Sequence, residues 1–349
     1  MIRKKYTAVE TWIWDNLQPE ESNSAAQTYD AMIWQAEGKL PVINQPLNLR
    51  DPAHFADEAR IREYLVQIKG AEEVLDIGPG DGWPALRIAP HVRMVTGIDA
   101  SLRRVEVSRS NAERLKIDNV KFAKMSAVEL DFADKSFDAV VAASSIEQTP
   151  NPIQALQEAF RVLKPGGGFS VDFESFDVTR QEPLSEAVSL LEHPDGVLGW
   201  HYRMKHRDPP WERDYLVKLK PVPETAEAFK KARELIAQAG DNPTTVREIG
   251  VEFLEANKTG VQASSYYELE HFTTQTMIES LEDVGFTDVR TVYSAARLAR
   301  LIFPALSTSQ MSDEQLTELA QALAEIAASL PAPLDQGQPV VATKPKLSS

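Results

Sequence analysis

The chain has 349 residues, 43% of them apolar, and a formal net charge of −15. That length admits two domains or one domain with a large insertion, and the apolar fraction excludes a disordered chain. The acidic balance argues against a general nucleic-acid binder or docking on anionic membrane, and the lack of cysteine excludes a disulfide framework or a thiolate metal site.

The first residues, Met1 to Tyr6, carry basic side chains but no apolar core behind them, so they do not read as a signal peptide. No apolar run approaches the roughly eighteen residues of a membrane helix. A soluble cytoplasmic protein is the expectation. Tyr6, Trp12, Trp14, Tyr29 and Trp34 enrich residues 1–70 in aromatics. Ile61, Leu65 and Ile68 share a helical face, which predicts a helix over 57–68 that Gly70 stops.

Val74 to Ile77 is a short apolar run that ends in Gly78-Pro79-Gly80-Asp81-Gly82. This reads as a buried strand, a tight turn and a helix starting near Trp83. Dinucleotide sites want Gly-x-Gly-x-x-Gly, with a pyrophosphate on the helix N-terminus. Here Trp83 stands where the third glycine belongs, and Asp76 and Asp81 would repel a pyrophosphate. S-adenosylmethionine (SAM) carries an ammonium and a sulfonium and no phosphate, so those carboxylates suit it better. A second strand over 94–98 ends at Asp99, 23 residues after Asp76. An acidic residue there can accept hydrogen bonds from both hydroxyls of an adenosine ribose. It can also cap the helix predicted over 101–115.

The chain resembles the class I SAM-dependent methyltransferases, in particular the small-molecule "methyltransferase type 11"-like group. Asp76 with the 78–82 glycines matches the family's first motif and Asp99 its second. Ser136-Phe137-Asp138 before Ala139–Ala142 matches the fourth-strand pattern. Arg161-Val162-Leu163-Lys164-Pro165-Gly166-Gly167 matches the turn into the fifth strand. The match is strong over 74–174 and moderate over 272–303. It implies that Asp76, Gly78, Pro79, Gly80 and Gly82 hold the aminocarboxypropyl end of SAM. Asp99 and Ala100 would hold the ribose, Ser126 and Ala127 the adenine edge, and Ser144, at the end of the fourth strand, would also contact the cofactor.

Two positions depart from the family pattern. Ser126 replaces an Asp, and Gln148 replaces the His of Leu-Glu-His-x-Pro-x-Pro, in which Glu147, Pro150 and Pro152 match. Glu147 would then orient or deprotonate a substrate; a structural acceptor at a strand end is the other reading.

Residues 175–271 form an insertion after the fifth strand, expected to be a substrate-selecting lid. A helix is expected at 184–191. Alternating apolar residues at 200–204 and 215–219 predict two strands around Arg207–Pro210. Helices follow at 224–239 and 246–257, and a strand at 266–272. Arg203, Lys205, His206 and Arg207 form a basic cluster, either an anion-recognition patch or a solvated ribbon edge. His201, His206, Tyr202 and Tyr6 are candidates for substrate contact or proton acceptance. His193, His201 and His206 show no metal-ligand spacing, and no metal is expected. A helix over 273–284, a strand over 289–293 and a seventh strand over 295–303 would complete the core. A helix at 312–330 follows, and the proline-bearing residues 331–349 read as a flexible tail.

The expected architecture is α/β: a Rossmann-like, seven-stranded, mostly parallel sheet with flanking helices and an inserted α+β lid. The expected parts are an N-terminal helical cap at 1–70, a core at 71–174 and 272–306, the insertion at 175–271, a C-terminal helix at 307–330 and the tail. The expected activity is methyl transfer from SAM to an oxygen, nitrogen or carbon of a small molecule, with no nucleic-acid partner. Homo-oligomerisation is compatible with the sequence. Two rivals stand beside it: an NAD(P)-binding oxidoreductase, opposed by Trp83 and the loop carboxylates, and a catalytically silent SAM-binding partner or sensor, favoured by Ser126 and Gln148.

Overall fold

The computed structural model describes residues 7–22, 46–176, 183–192, 196–239, 249–334 and 339–346. They fall into two compact units: one within residues 39–181 and 271–349, the other within 1–38 and 182–270. In chain order the strands are β1 (Glu20–Glu21), β2 (Glu73–Ile77), β3 (Met94–Asp99), β4 (Val120–Lys124), β5 (Phe137–Ala143), β6 (Leu163–Asp172), β7 (Leu184–Glu192), β8 (Leu198–His206), β9 (Trp211–Leu219), β10 (Val261–Glu270), β11 (Thr287–Thr291) and β12 (Val340–Thr343).

The first unit is built on a seven-stranded sheet in the order β11-β12-β6-β5-β2-β3-β4. β4, β3, β2, β5 and β6 pair in parallel; β12 runs antiparallel to both β6 and β11. Alternate side chains feed two cores. Val74, Val95, Ala139 and Val141 join Tyr64, Leu86 and Val105 on one face. Leu75, Ile98, Val140 and Ala142 join Leu156, Phe169 and Leu281 on the other. A sheet covered on both faces needs near-continuous apolar strands, which β2 and β5 supply. The architecture is the α/β sheet anticipated above.

Four expectations are corrected. The helix placed at 57–68 spans Pro52–Gln67, because Asp51 caps it with bonds from the Ala53 and His54 amides and Pro52 fits the first turn. Residues 295–303 are no strand. Ser294 caps a helix over Ala295–Ile302, and Ala295 and Ala299 are fully buried in a helical cluster with Phe55, Ala59 and Leu316. The seventh strand is instead β12, from the stretch read as a flexible tail: Val340, Val341 and Ala342 are buried in the sheet. Lys344 anchors it, its Nζ donating to the carbonyls of Phe160 (2.6 Å) and Leu163 (2.8 Å) at the end of the helix Pro152–Val162.

The fourth correction lies in the second unit, where 184–191 is the strand β7, paired residue for residue with β8. A run rich in Leu, Glu and Ala favours helix locally, but cross-strand pairing overrides a weak propensity. This unit is a five-stranded sheet, β1-β10-β9-β8-β7, antiparallel except for β1 on β10. The expected hairpin is β8–β9. Trp200, Tyr202, Met204, Tyr215 and Val217 form its apolar face, with Val9 and Ile13 of the helix Ala8–Asn16 packed on it. Glu10 from that helix accepts from Arg213 Nη1 at 2.6 Å and Tyr215 Oη at 3.0 Å. Helices Pro223–Ala239 and Val251–Asn257 complete the unit. Tyr6 and His193, and residues 246–248 of an expected helix, lie outside the described residues.

Candidate functional site

The sheet's strand order reverses between β2 and β5, and open α/β sheets bind ligands in the crevice at such a point. The loops after β2 and β5 meet there. Gly78, Gly80 and Gly82 have φ of +76°, +60° and +109°. A Cβ on Gly78 would lie 2.4 Å from the Ser145 Cβ, and one on Gly82 2.4 Å from Leu86 Cδ1. Glycine is needed twice over: for the left-handed backbone and for the close approach. The buried Pro79 packs within 3.0 Å of where a Gly97 Cβ would stand. The helix Leu102–Leu115 ties the loop down. Ser108 Oγ donates to the Gly80 carbonyl and Asn111 Nδ2 to the Asp81 carbonyl, both at 2.8 Å. Sequence reading passed over these two. Their signal is a pair of polar residues on the buried stripe of Val105 and Ala112.

Asp76 is fully buried. Its Oδ2 accepts from the Ala85 amide at 3.0 Å, and its Oδ1 has no partner. Burial pushes its pKa well up against the pull of that hydrogen bond, and the Asp99 charge adds to the rise. At the end of β3, Asp99 accepts from the Ser101 amide (2.9 Å) and the Gly80 amide (3.3 Å), so it joins the strand end to the glycine loop. The helix cap itself is Ser101, whose Oγ accepts from the Arg104 amide. Ala100 is exposed beside it. The Met125 amide donates to the Asp99 carbonyl, which brings the β4 loop alongside; there Ser126 is exposed and Ala127 buried.

After β5, Ser144 takes φ +52° and its amide donates to the Asp172 carbonyl at 2.9 Å. Ser145 Oγ donates to the Ile77 carbonyl, locking this loop to the end of β2. Glu147 follows in a short 3₁₀ turn and is 1% exposed. Its Oε1 accepts from the Glu174 amide at 3.1 Å, and its Oε2 has no partner. Burial lifts its pKa to about 7, helped by the charges of Glu174 and Asp172. Beyond the expected residues, Asp172 at the end of β6 accepts from Tyr64 Oη at 2.5 Å and from Arg60, which also bonds Glu63. Tyr64 meets Trp83 edge-on at 6.0 Å, and the buried Trp83 Nε1 has no partner. These residues come from separate stretches of chain, and no local pattern marks them as a set.

The other candidates belong to the second unit. His201 is 3% exposed, with Nε2 2.5 Å from Asp214 Oδ1 and Nδ1 3.0 Å from Ser189 Oγ. Tyr202 Oη donates to Glu186 at 2.5 Å and meets Thr7 Oγ1 at 2.9 Å; burial pushes its pKa up. His206 stacks on Trp211 and bonds the Pro209 carbonyl. The basic cluster faces carboxylates: Arg203 pairs with Glu212 and Asp214, Lys205 with Glu212, and Arg207 with Asp208. Its anion-patch reading gives way to internal charge pairing on the ribbon. Among the described residues, no group of three or more His, Cys, Asp or Glu could hold a metal ion, and no helix is long and apolar enough to cross a membrane.

A doubly wound sheet with this glycine loop and acidic strand ends defines a class of nucleoside-cofactor enzymes. Within it, residues 75–171 match the family described as "Methyltransferase domain", and over that stretch the chain is similar to class I SAM-dependent methyltransferases. Among curated relatives, the 27-O-demethylrifamycin SV methyltransferase of Amycolatopsis mediterranei is 38% identical over 105 residues, 30% of this chain and 39% of that protein. The phosphatidylethanolamine N-methyltransferase of Cereibacter sphaeroides is 34% identical over 37% of this chain and 62% of its own length. The matches thus span less than two thirds of either relative. Among solved structures, the CcbJ methyltransferase from Streptomyces caelestis aligns over 84% of this chain and 96% of its own, at 14% identity and a TM-score of 0.47.

The residues present fit SAM. The three left-handed glycines let the loop close against Ser145, Arg104 and Leu86, and Asp76, at the end of the strand that feeds it, keeps one buried oxygen without a partner. Asp99 supplies two acceptor oxygens at the end of β3. The carboxyl groups of Asp76, Asp81 and Asp99 can accept from an ammonium and from ribose hydroxyls, which suits SAM.

Proposed function

We propose that this chain binds SAM at the carboxyl ends of β2–β5, methylates a small-molecule acceptor and releases S-adenosylhomocysteine. The observation that carries the reading is the arrangement of Asp76, the three left-handed glycines and Asp99 at the strand-order reversal. Asp76 and the 78–82 loop hold the aminocarboxypropyl end, Asp99 and Ala100 the ribose, and Ser126 and Ala127 the adenine edge. Bound SAM supplies a methyl group already activated on a sulfonium. The protein's task is to align the acceptor and exclude water. Ser144 and Glu147 border the acceptor's side of the crevice. His201 and Tyr202 already spend their polar atoms on partners in their own unit, so the role of orienting or deprotonating the acceptor falls to Glu147.

Calorimetric titration with S-adenosylhomocysteine, SAM and NAD(P)H tests it. The first two should bind. Asp99→Ala should weaken both by roughly 10- to 100-fold, as expected for losing charge-assisted hydrogen bonds to two hydroxyls. Binding of NAD(P)H with no response to either sulfur ligand would sink the assignment.

A further inference from the structure

Glu147 is a carboxyl group without a cation of its own. It sits in the turn after β5, one of the two loops at the strand-order reversal, and Ser145 two residues earlier touches Gly78 of the other loop. One oxygen is satisfied by a backbone amide; the other is buried with no donor. The charges that act on it are carboxylates, Glu174 and Asp172. The guanidinium in this network, Arg60, is engaged by Asp172 and Glu63, and Tyr64 Oη also goes to Asp172. A buried carboxyl with a vacant acceptor is costly unless a ligand supplies a donor. In a region of negative potential that donor is a cation, and an anionic acceptor such as a phosphate, carboxylate or phenolate is repelled.

We propose that Glu147 anchors the acceptor by a protonated amine, so that the substrate class is a small primary or secondary ammonium compound methylated on nitrogen. This rests on the methyltransferase reading above and narrows its acceptor. An ammonium N–H donates to the vacant Oε2. Transfer of that proton to the carboxylate breaks the N–H bond, forms an O–H bond and leaves the electron pair on nitrogen as the nucleophile. The proton then passes to solvent as the methylated ammonium leaves.

The test uses the full chain saturated with S-adenosylhomocysteine, and calorimetry with ammonium ions graded from ethylammonium to phenethylammonium against the matched alcohols. At least one ammonium should bind about tenfold or more tighter than its alcohol, a charge-assisted preference. Glu147→Gln should bring the pair within about twofold. Repeating the titration in buffers of different ionisation enthalpy should show roughly half a proton released at pH 7 on ammonium binding, and none in the variant, since Glu147 titrates near 7. Glu147→Asp, which keeps the charge, should keep part of the preference. No ammonium binding, or a preference unchanged in Glu147→Gln, overturns the proposal while S-adenosylhomocysteine binding leaves the cofactor reading intact. A Glu147→Gln protein that loses affinity for SAM but not for S-adenosylhomocysteine also overturns it, because the carboxylate would then serve the sulfonium.

Discussion

A methyl group added at Gly78 would meet the Ser145 Cβ at 2.4 Å, on a residue whose φ is +76°. Both effects act against the same loop. Gly78→Ala should cost about 2 kcal/mol, seen as a melting temperature lower by roughly 4–8 °C, and should abolish S-adenosylhomocysteine binding. A variant that melts and binds like the parent would remove the loop from the site.

Glu147 gives a residue-scale prediction in pH. Its folded pKa, about 7, stands above its ordinary value of 4.5. Between those values the folded state holds more protons than the unfolded state, so stability is fully present below about pH 4.5 and falls as pH rises towards 7. The loss is at most about 3 kcal/mol for such a shift. Asp76, also raised by burial, acts in the same direction. Glu147→Gln should therefore gain stability relative to the parent between pH 5 and pH 8, by urea unfolding at each pH. An equal gap at both pH values would mean that Glu147 is ionised throughout.

At the scale of elements, β12 is the telling case. It pairs with β6 on one side and β11 on the other, so without it β11 has no neighbour in the sheet. Deleting residues 339–349 should destabilise the first unit by several kcal/mol through the lost burial of Val340, Val341 and Ala342. Lys344→Met should cost about 1–2 kcal/mol, since it removes the donor to the last carbonyls of the helix Pro152–Val162. Chemical denaturation of both variants measures this.

The same element marks where the sequence stopped being legible. The motif-bearing strands β2 to β6 were readable because continuous apolar runs ending in glycine or acidic residues have few alternatives. In Pro339-Val340-Val341-Ala342-Thr343 the run is too short, and the neighbouring prolines pointed to a loop. Its identity depends on a partner, β6, some 170 residues earlier. Ala295–Ile302 failed the opposite way: an apolar stretch expected to supply the last strand instead follows the Ser294 cap. Asp76, the glycines and Asp99 were readable because each answers a local backbone demand. The Tyr64–Asp172–Arg60 contacts were not, since they are made only by long-range folding.

For the whole molecule, each unit owns a hydrophobic core drawn from its own residues. Trp200, Tyr202, Trp211, Tyr215 and Tyr266 serve the second, and the β2–β6 strands and their helices serve the first. Cooperative unfolding follows contiguous cores, so scanning calorimetry should resolve two transitions. A ligand that binds only the folded first unit raises only that unit's transition. At a hundredfold excess over its Kd, S-adenosylhomocysteine should add about 2.7 kcal/mol to it. Tryptophan fluorescence, with Trp200 and Trp211 buried in the second unit and Trp83 half-buried in the first, helps assign which transition is which. At the same ligand concentration, Asp99→Ala should cut that shift to roughly 0.4–1.4 kcal/mol and leave the other transition in place. One transition moving as a whole with ligand would show that the units fold as a single cooperative body, and the two-core description would then fail as an account of stability.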